Sequence, residues 1–567
     1  MAYAPGMGAL AVLAAAGLVG AAPAIYTFAA APDRFIFGNL TYARLNTAYY
    51  QQHSAGQPGM TLLQKLTFTF ELVFLQPGNL LILLLAVLEL WRVRKSLRLH
   101  VAPEIFFGLL LLLSFWVGAY APTPMQQQYI YPMIPLLLLL FIGALAYDHR
   151  PRIPVGVLGV SALLAMVFAA PRYVEGAEIV FDPAEWFPLK VHARGEGLAE
   201  LVDGKRVLTL APIYPLEGGA AIYPELVTGP LGWRVAPLLS AEERSQVGLV
   251  GLDELAADLA SRTPRGVFIG VHDDDATAEE PLLAYATQGR YVPVALPEEG
   301  VLWTAPIARW DEQIQLGAVD LPSHPLAPGQ SFVATLQLQA LTPLVTNFNV
   351  LVRIVGSDGA EVLRQEGWPW GRPTTSWEVG EVWPDGHEFT LPAEIAPGPY
   401  KIEVTFYDPA TLALVGEPAT AGYIVVDGKG STGQKPLAKF ADGITLQSAT
   451  APANGWKPGA TQEVRLTWVG VQPERGNYTA FLHLAGPNGL VAQRDQAPLG
   501  GFYPTDVWLP GLPVEDRYPL ELPNDLAPGT YTLLAGLYDP VTGQRLALLD
   551  GAQPSGDAYV VATVQVE

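Results

Sequence analysis

Ala396-Pro-Gly-Pro-Tyr-Lys-Ile-Glu-Val-Thr-Phe-Tyr-Asp-Pro409 is answered later in the chain by Ala527-Pro-Gly-Thr-Tyr-Thr-Leu-Leu-Ala-Gly-Leu-Tyr-Asp-Pro540. In both, a Pro-Gly turn leads into residues that alternate apolar with polar or small, and a Tyr-Asp-Pro turn closes the run. That is the signature of a half-buried β-strand between turns. Working outward, the match continues. Pro373-Thr374 and Trp377 return as Pro504-Thr505 and Trp508, Asp358-Gly359 as Asn488-Gly489, and Leu326-Ala-Pro-Gly329 as Trp456-Lys-Pro-Gly459. The offset is 130 residues as far as Gly359 and 131 from Pro373 onward, so one inserted residue is expected between the copies. Self-similarity at a fixed long period marks a duplicated domain.

Period-two alternation runs through each copy. Ala334, Leu336 and Leu338 face one way and Thr335, Gln337 and Gln339 the other, while Val464, Leu466 and Trp468 repeat the inward set. Ile402, Val404 and Phe406 match Leu533, Ala535 and Leu537. Two tandem immunoglobulin-like β-sandwiches are expected, over residues 311–427 and 437–567, joined by a Gly/Ser/Lys-rich linker at 428–436. Upstream, helix and strand patterns alternate. Pro183–Val202, Leu252–Ser261 and Glu279–Gln288 read as helices, and Arg206–Leu210, Gly266–Val271, Tyr291–Leu296 and Val301–Thr304 as strands. Residues 173–310 are expected to form a small α/β domain with a parallel sheet.

The first part of the chain differs in kind. Residues 1–175 hold ten Lys/Arg and six Asp/Glu, a net of +4, and the remainder carries −25 of the total −21. Long uncharged apolar runs suggest five spans: Gly8–Phe28, Leu80–Trp91, Ile105–Tyr120, Tyr131–Tyr147 and Val155–Ala170. An α-helical transmembrane bundle is therefore expected over residues 1–172, with an outer loop at 32–76. Basic residues set its orientation: Arg92, Arg94, Lys95 and Arg98 cluster in one loop and Arg150 and Arg152 in another, whereas Ala121–Gln128 is uncharged. Everything after Pro171 is then expected outside the cell, on a multi-pass protein of the bacterial plasma membrane. No Lys or Arg precedes Arg34, so the first span lacks the basic start of a signal peptide. The absence of cysteine excludes disulfides, thiolate metal sites and Cys nucleophiles. The acidic balance leaves nothing to neutralise phosphates, which argues against nucleic acid.

Several stretches resemble the extracytoplasmic part of bacterial membrane glycosyltransferases of the protein-mannosyltransferase/aminoarabinose-transferase superfamily, the polyprenyl-phosphate-sugar-dependent C-type fold. These are Val207-Leu-Thr-Leu-Ala-Pro212, Glu217-Gly-Gly219, Ile222-Tyr-Pro-Glu225, and Thr228-Gly-Pro230 through Trp233-Arg234-Val235. Gln126-Gln-Gln-Tyr129, running into Pro132 and Pro135, is similar to the entry of a late helix in that superfamily, and the β repeats are similar to C-terminal appendages on such proteins. The resemblance implies displacement at the anomeric carbon of a lipid-linked sugar, with a lipid bilayer, a polyprenyl-phosphate-linked sugar and a glycan or protein acceptor as partners. It implies no cofactor for this chain; a divalent metal would belong to a full-length enzyme. It also implies a departure. The family's catalytic carboxylate lies in the first outer loop of a longer helical series, and the helices matched here are the late ones. Met1 is then not the natural start, and this chain lacks the base that activates an acceptor hydroxyl.

The residues with chemistry to offer carry two readings each. In the loop at 32–76, Arg34 and Arg44 suit a lipid-linked phosphate, because the guanidinium fork matches phosphate geometry. Asp33 suits a proton acceptor, and Tyr42, Asn46 and His53 offer further polar contacts. The same residues suit an interfacial loop with Arg at headgroups and Tyr in the aromatic belt. Gln128 and Tyr129 offer amide and phenol groups to a sugar, or anchor a helix entry. His272-Asp-Asp-Asp275 has the look of a metal site for nucleotide sugars, yet acidic residues ahead of a helix suit its N-terminus. Trp368, Trp370, Trp377, Trp383 and Trp508 offer platforms for sugar rings, although Trp377 and Trp508 recur at one repeat position, as packing residues do. No Gly-rich phosphate loop, zinc helix signature or nucleophile elbow is present. Beside the transferase reading stands a non-enzymatic one, an envelope protein whose β-sandwich modules bind glycans or partner proteins.

Overall fold

A computed structural model of the chain describes residues 7–53, 59–71, 80–81, 84–85, 87–88, 91, 94, 103–147, 155–175, 182–271, 276–296, 299–427, 435–472 and 475–567. The chain divides into two compact units, one of Met1–Lys190 with Pro230–Leu255, the other of Val191–Gly229 with Ala256–Glu567.

The first unit is helical: α1 (Met7–Ala30), α2 (Pro32–Ile36), α3 (Tyr42–His53), α4 (Leu62–Thr69), α5 (Pro103–Tyr120), α6 (Met133–Tyr147) and α7 (Val155–Glu175). The five-span transmembrane bundle is overturned here. Among the described residues no helix is long and apolar enough to cross a membrane. At 1.5 Å per residue the 18 residues of α5 rise about 27 Å and the 15 of α6 about 22 Å, against a hydrocarbon core of about 30 Å. Helices α1 and α7 each carry an internal proline, Pro23 and Pro171, and α7 ends on Arg172 and Glu175. The orientation argument depended on those spans and lapses with them. Its basic residues Arg92, Lys95, Arg98, Arg150 and Arg152, and much of the span proposed at Leu80–Trp91, lie outside the described residues, as do the run His272–Asp275 and most of the linker.

The expected outer loop is also largely helical. Pro32 starts α2, a π-helical turn covers Phe37–Thr41, and α3 follows without a break. Helix α4 begins at a capping box, in which the Thr61 hydroxyl accepts from Gln64 N–H and the Gln64 side chain accepts from Thr61 N–H.

Helix α8 (Phe187–Leu201) enters the second unit at Val191, and strand β1 (Val207–Thr209) and α9 (Ile213–Glu217) follow in it. The chain then leaves this unit, forms α10 (Pro230–Val235) and α11 (Ala241–Val247), and re-enters during α12 (Leu252–Ser261). Strand β2 (Gly266–Ile269), α13 (Ala276–Gln288), β3 (Val292–Ala295) and β4 (Val301–Thr304) complete a four-stranded sheet of order β1-β2-β4-β3. Only the β1–β2 pair is parallel; β4 runs antiparallel to both β2 and β3, so the sheet is mixed, not parallel. Only five residues separate β3 from β4, short enough for an antiparallel hairpin, whereas a parallel neighbour needs a long crossover. Gly195 of α8 and Gly218 after α9 meet so closely that a Cβ on Gly218 would sit 1.9 Å from the Gly195 carbonyl oxygen.

The β half consists of antiparallel sheets in facing pairs. Strands β5 (Ala308–Trp310), β6 (Ile314–Asp320), β7 (Ser331–Ala340) and β10 (Val382–Thr390) form one sheet. Strands β8 (Asn349–Val355), β9 (Glu361–Gly367), β11 (Gly398–Tyr407) and β12 (Leu414–Val426) form the sheet facing it. Ala334, Leu336, Leu338, Ile402, Val404 and Phe406 are fully buried between them. The second copy places β13 (Ala438–Phe440), β14 (Ile444–Thr450), β15 (Thr461–Gly470), β18 (Pro513–Glu521), β20 (Leu548–Asp550) and β21 (Gln553–Gly556) in one sheet. Its other sheet holds β16 (Thr479–Gly486), β17 (Gly489–Gln496), β19 (Gly529–Tyr538) and β22 (Tyr559–Val566).

The repeated motifs acquire physical roles. Tyr400 Oη donates to Ala396 O and Tyr531 Oη to Ala527 O, both at 2.8 Å, the corner found in immunoglobulin-like sandwiches. Thr374 Oγ1 donates to Thr346 O and accepts from Phe348 N–H; Thr505 Oγ1 does the same with Gly476 O and Tyr478 N–H. The single insertion is replaced by a compound change. Pro369 and Pro498 open equivalent 3₁₀ turns, yet Pro373 pairs with Pro504, so the second copy is one residue short before this corner and two longer within it.

Candidate functional site

Helix α3 reads Tyr-Ala-Arg-Leu-Asn-Thr-Ala-Tyr-Tyr-Gln-Gln-His. Helical spacing puts Tyr42, Asn46, Tyr49, Tyr50 and His53 along one stripe. Arg44 points off that stripe and is exposed, as are Asp33 and Arg34 on α2. The three residues given the phosphate-gripping and proton-accepting roles are therefore not gathered with the rest.

The stripe is gathered by Arg234, on α10 in the same unit. Its Nη1 donates to Tyr50 Oη at 3.0 Å, and its guanidinium lies 5.6 Å from the Tyr50 ring centre and 5.9 Å from that of Tyr49. Tyr49 is buried, packed edge-on against Tyr50 and face-on against His53, whose ring stacks at 4.4 Å. His53 Nδ1 contacts Tyr49 O at 3.1 Å, so the imidazole is tied to its own helix. Burial holds the Tyr42 hydroxyl above its ordinary pKa; the Arg234 charge pulls the other way, and the nearby Tyr50 and Tyr129 hydroxyls add to the rise. Tyr42 Oη and Asn46 Oδ1 are buried without a hydrogen-bond partner. Such groups cost about 1–3 kcal/mol each when left unpaired.

A second arrangement supports the first. Buried Lys65 of α4 donates to Tyr120 O, Pro122 O and Thr123 Oγ1, at 2.7, 2.7 and 2.8 Å. Burial lowers its pKa, and all three ammonium hydrogens are used. Thr47 Oγ1 of α3 donates to Thr123 O at 2.9 Å. Helices α3 and α4 thus both grip the turn after α5. That turn leads into the 3₁₀ segment Gln127–Tyr129, where Gln128 and Tyr129 are exposed.

The stripe therefore unites Tyr42, Asn46, Tyr50, Tyr129 and Arg234: one guanidinium, three phenols and an amide. This set suits an oxyanion with hydroxyl groups attached, since the guanidinium answers the charge and the phenols and amide answer the hydroxyls. None of these five side chains carries a carboxylate. Among the described residues no three His, Asp or Glu side chains gather as a metal site.

Sequence reasoning missed Arg234 as a site residue because its partner Tyr50 lies 184 positions away. The available signal was a lone cation in the otherwise apolar Pro230–Val235 helix. Among the tryptophans, Trp377, Trp383 and Trp508 are buried, whereas Trp368 and Trp370 are exposed. No protein-family model and no curated protein matches the sequence.

Proposed function

We propose that the chain is a glycosyltransferase-like protein that holds a polyprenyl-phosphate-linked sugar for transfer to an extracytoplasmic glycan or protein acceptor. The observation that carries this reading is the Arg234 guanidinium set beside the Tyr50 hydroxyl and the buried, unpartnered Tyr42 hydroxyl and Asn46 amide oxygen. In the proposed complex Arg234 neutralises the phosphate while Tyr42 and Asn46 gain the partners they lack. The resemblance noted from the sequence supports the same chemistry. In this reading the five residues supply binding and orientation, and activation of the acceptor falls to a carboxylate outside the set.

The test is binding of a fluorescent decaprenyl-phosphate sugar to the full chain. A charge-assisted hydrogen bond is worth about 1.5–3 kcal/mol, so Arg234→Ala should weaken binding about tenfold or more. Tyr42→Phe should weaken it by a smaller factor, and Arg44→Ala should change little. No saturable binding by the unmodified chain, or equal loss from Arg44→Ala and Arg234→Ala, would refute the proposal.

A further inference from the structure

Trp368 and Trp370 stand 49% and 44% exposed at one corner of the first sandwich. The second copy provides an internal control on what that corner needs in order to fold. The same 3₁₀ turn occurs there, with Ala497 at the place of Trp368 and half-buried Leu499 at the place of Trp370. Both Trp370 and Leu499 adopt positive φ, 53° and 51°. Both are fixed by a buried aspartate accepting their backbone N–H, Asp385 at 2.6 Å and Asp516 at 3.1 Å. The turn geometry is common property of the fold; the exposed indoles are not.

Core packing accounts for the neighbouring tryptophan. Trp383 faces Leu338 across β10 and β7, while in the second copy Val514 faces Trp468 across β18 and β15. One large and one small side chain fill each pair, in opposite order. Trp370 rests on Trp383, ring centres 4.9 Å apart, yet keeps 44% of its surface exposed, and Trp368 stands 49% exposed beside it in the chain.

Arg372 adds charge. Its guanidinium lies 4.6 Å from the Trp370 ring centre and 5.9 Å from that of Trp383. Among the described residues no carboxylate pairs with it, in a chain with 54 acidic residues to 33 basic. A cation stacked on indole keeps its donor fork open at the edge, suited to a carboxylate or phosphate. The corner is also preorganised, because Asp385 holds the Trp370 backbone and is itself held by His387 Nε2 at 2.8 Å.

We propose that Trp368, Trp370 and Arg372 form a binding site for an acidic saccharide, with pyranose C–H faces on the indoles and the anionic substituent on the guanidinium. The site goes beyond the proposed transferase function and stands or falls separately, since none of its residues belongs to the Arg234 cluster.

The full chain is titrated, with tryptophan fluorescence and calorimetry as readouts, against two acidic probes and their neutral counterparts. These are tetragalacturonate with its methyl ester, and 6-phosphomannotetraose with mannotetraose. At least one acidic probe should bind about tenfold or more tightly than its neutral form, and the winning arm identifies the substituent. Trp368→Ala and Trp370→Leu install residues that the second copy already tolerates, so thermal stability should hold while affinity falls about tenfold. Arg372→Gln should erase the preference for the acidic form. Absence of binding in both arms, equal affinity for acidic and neutral probes, or unchanged affinity in Trp370→Leu overturns the proposal.

Discussion

Thr505 shows what one hydroxyl can hold in place. It is fully buried, gives its hydrogen to Gly476 O and receives that of Tyr478 N–H. Replacing it by valine keeps the shape and strands a backbone donor and acceptor. Thr505→Val should cost about 2–3 kcal/mol, read from the urea midpoint, and a loss below about 0.5 kcal/mol would show that the bridge is dispensable. Tyr503 gives a pH dependence. Burial pushes its hydroxyl up to about 12, from 10 in the unfolded chain. A raised pKa means that the folded state keeps the proton longer. This contribution is whole below pH 10 and is lost as pH climbs through 12, at about 1.4 kcal/mol per unit or about 3 kcal/mol in all. Tyr518 is shifted the same way by burial. Thermal melts between pH 9 and 12 should fall steeply, and Tyr503→Phe should flatten the fall; parallel curves would count against the assignment. The sequence announced Thr505 as a repeated residue, but the geometry that makes its repetition necessary required the fold.

Strands were the most readable elements, because a period of two survives on the page wherever one face is buried. Ala334, Leu336 and Leu338 needed no partner to be identified as an inward set. The helical half was read less well. Hydropathy registers composition, whereas crossing a bilayer also demands uninterrupted length, and α5 and α6 fall short of it. The stripe on α3 escaped notice because its residues are polar and aromatic, not apolar, so amphipathic pattern-reading returned a loop. Arg234 was invisible for a different reason: no local signal specifies a partner on a distant helix. The exchanged pairs Trp383–Leu338 and Val514–Trp468 yield a prediction at this scale. Trp468→Leu should cost about 2–4 kcal/mol through the cavity it opens. Adding Val514→Trp, which copies the first sandwich's arrangement, should recover at least half of that by denaturant titration. If the second substitution makes matters worse, the pairs are not interchangeable.

At the level of the molecule, the α/β sheet and the first sandwich meet where Gly317 of β6 passes Val292 of β3, both in the second unit. A Cβ on Gly317 would lie 2.3 Å from the Val292 Cβ. Gly317→Ala should force the two layers apart and turn one calorimetric transition into two; a single unshifted peak would mean that the junction yields without penalty. The path of the backbone has a consequence of its own. Because the chain departs at Gly229 and re-enters at Ala256, synthesis cannot finish either unit before beginning the other. A ribosome has already delivered α8 and β1 when α10 emerges, and these must wait, with apolar surface uncovered, until β2 and β4 arrive. No single cut in the gene yields both units intact, so recombination must inherit the two as one indivisible block.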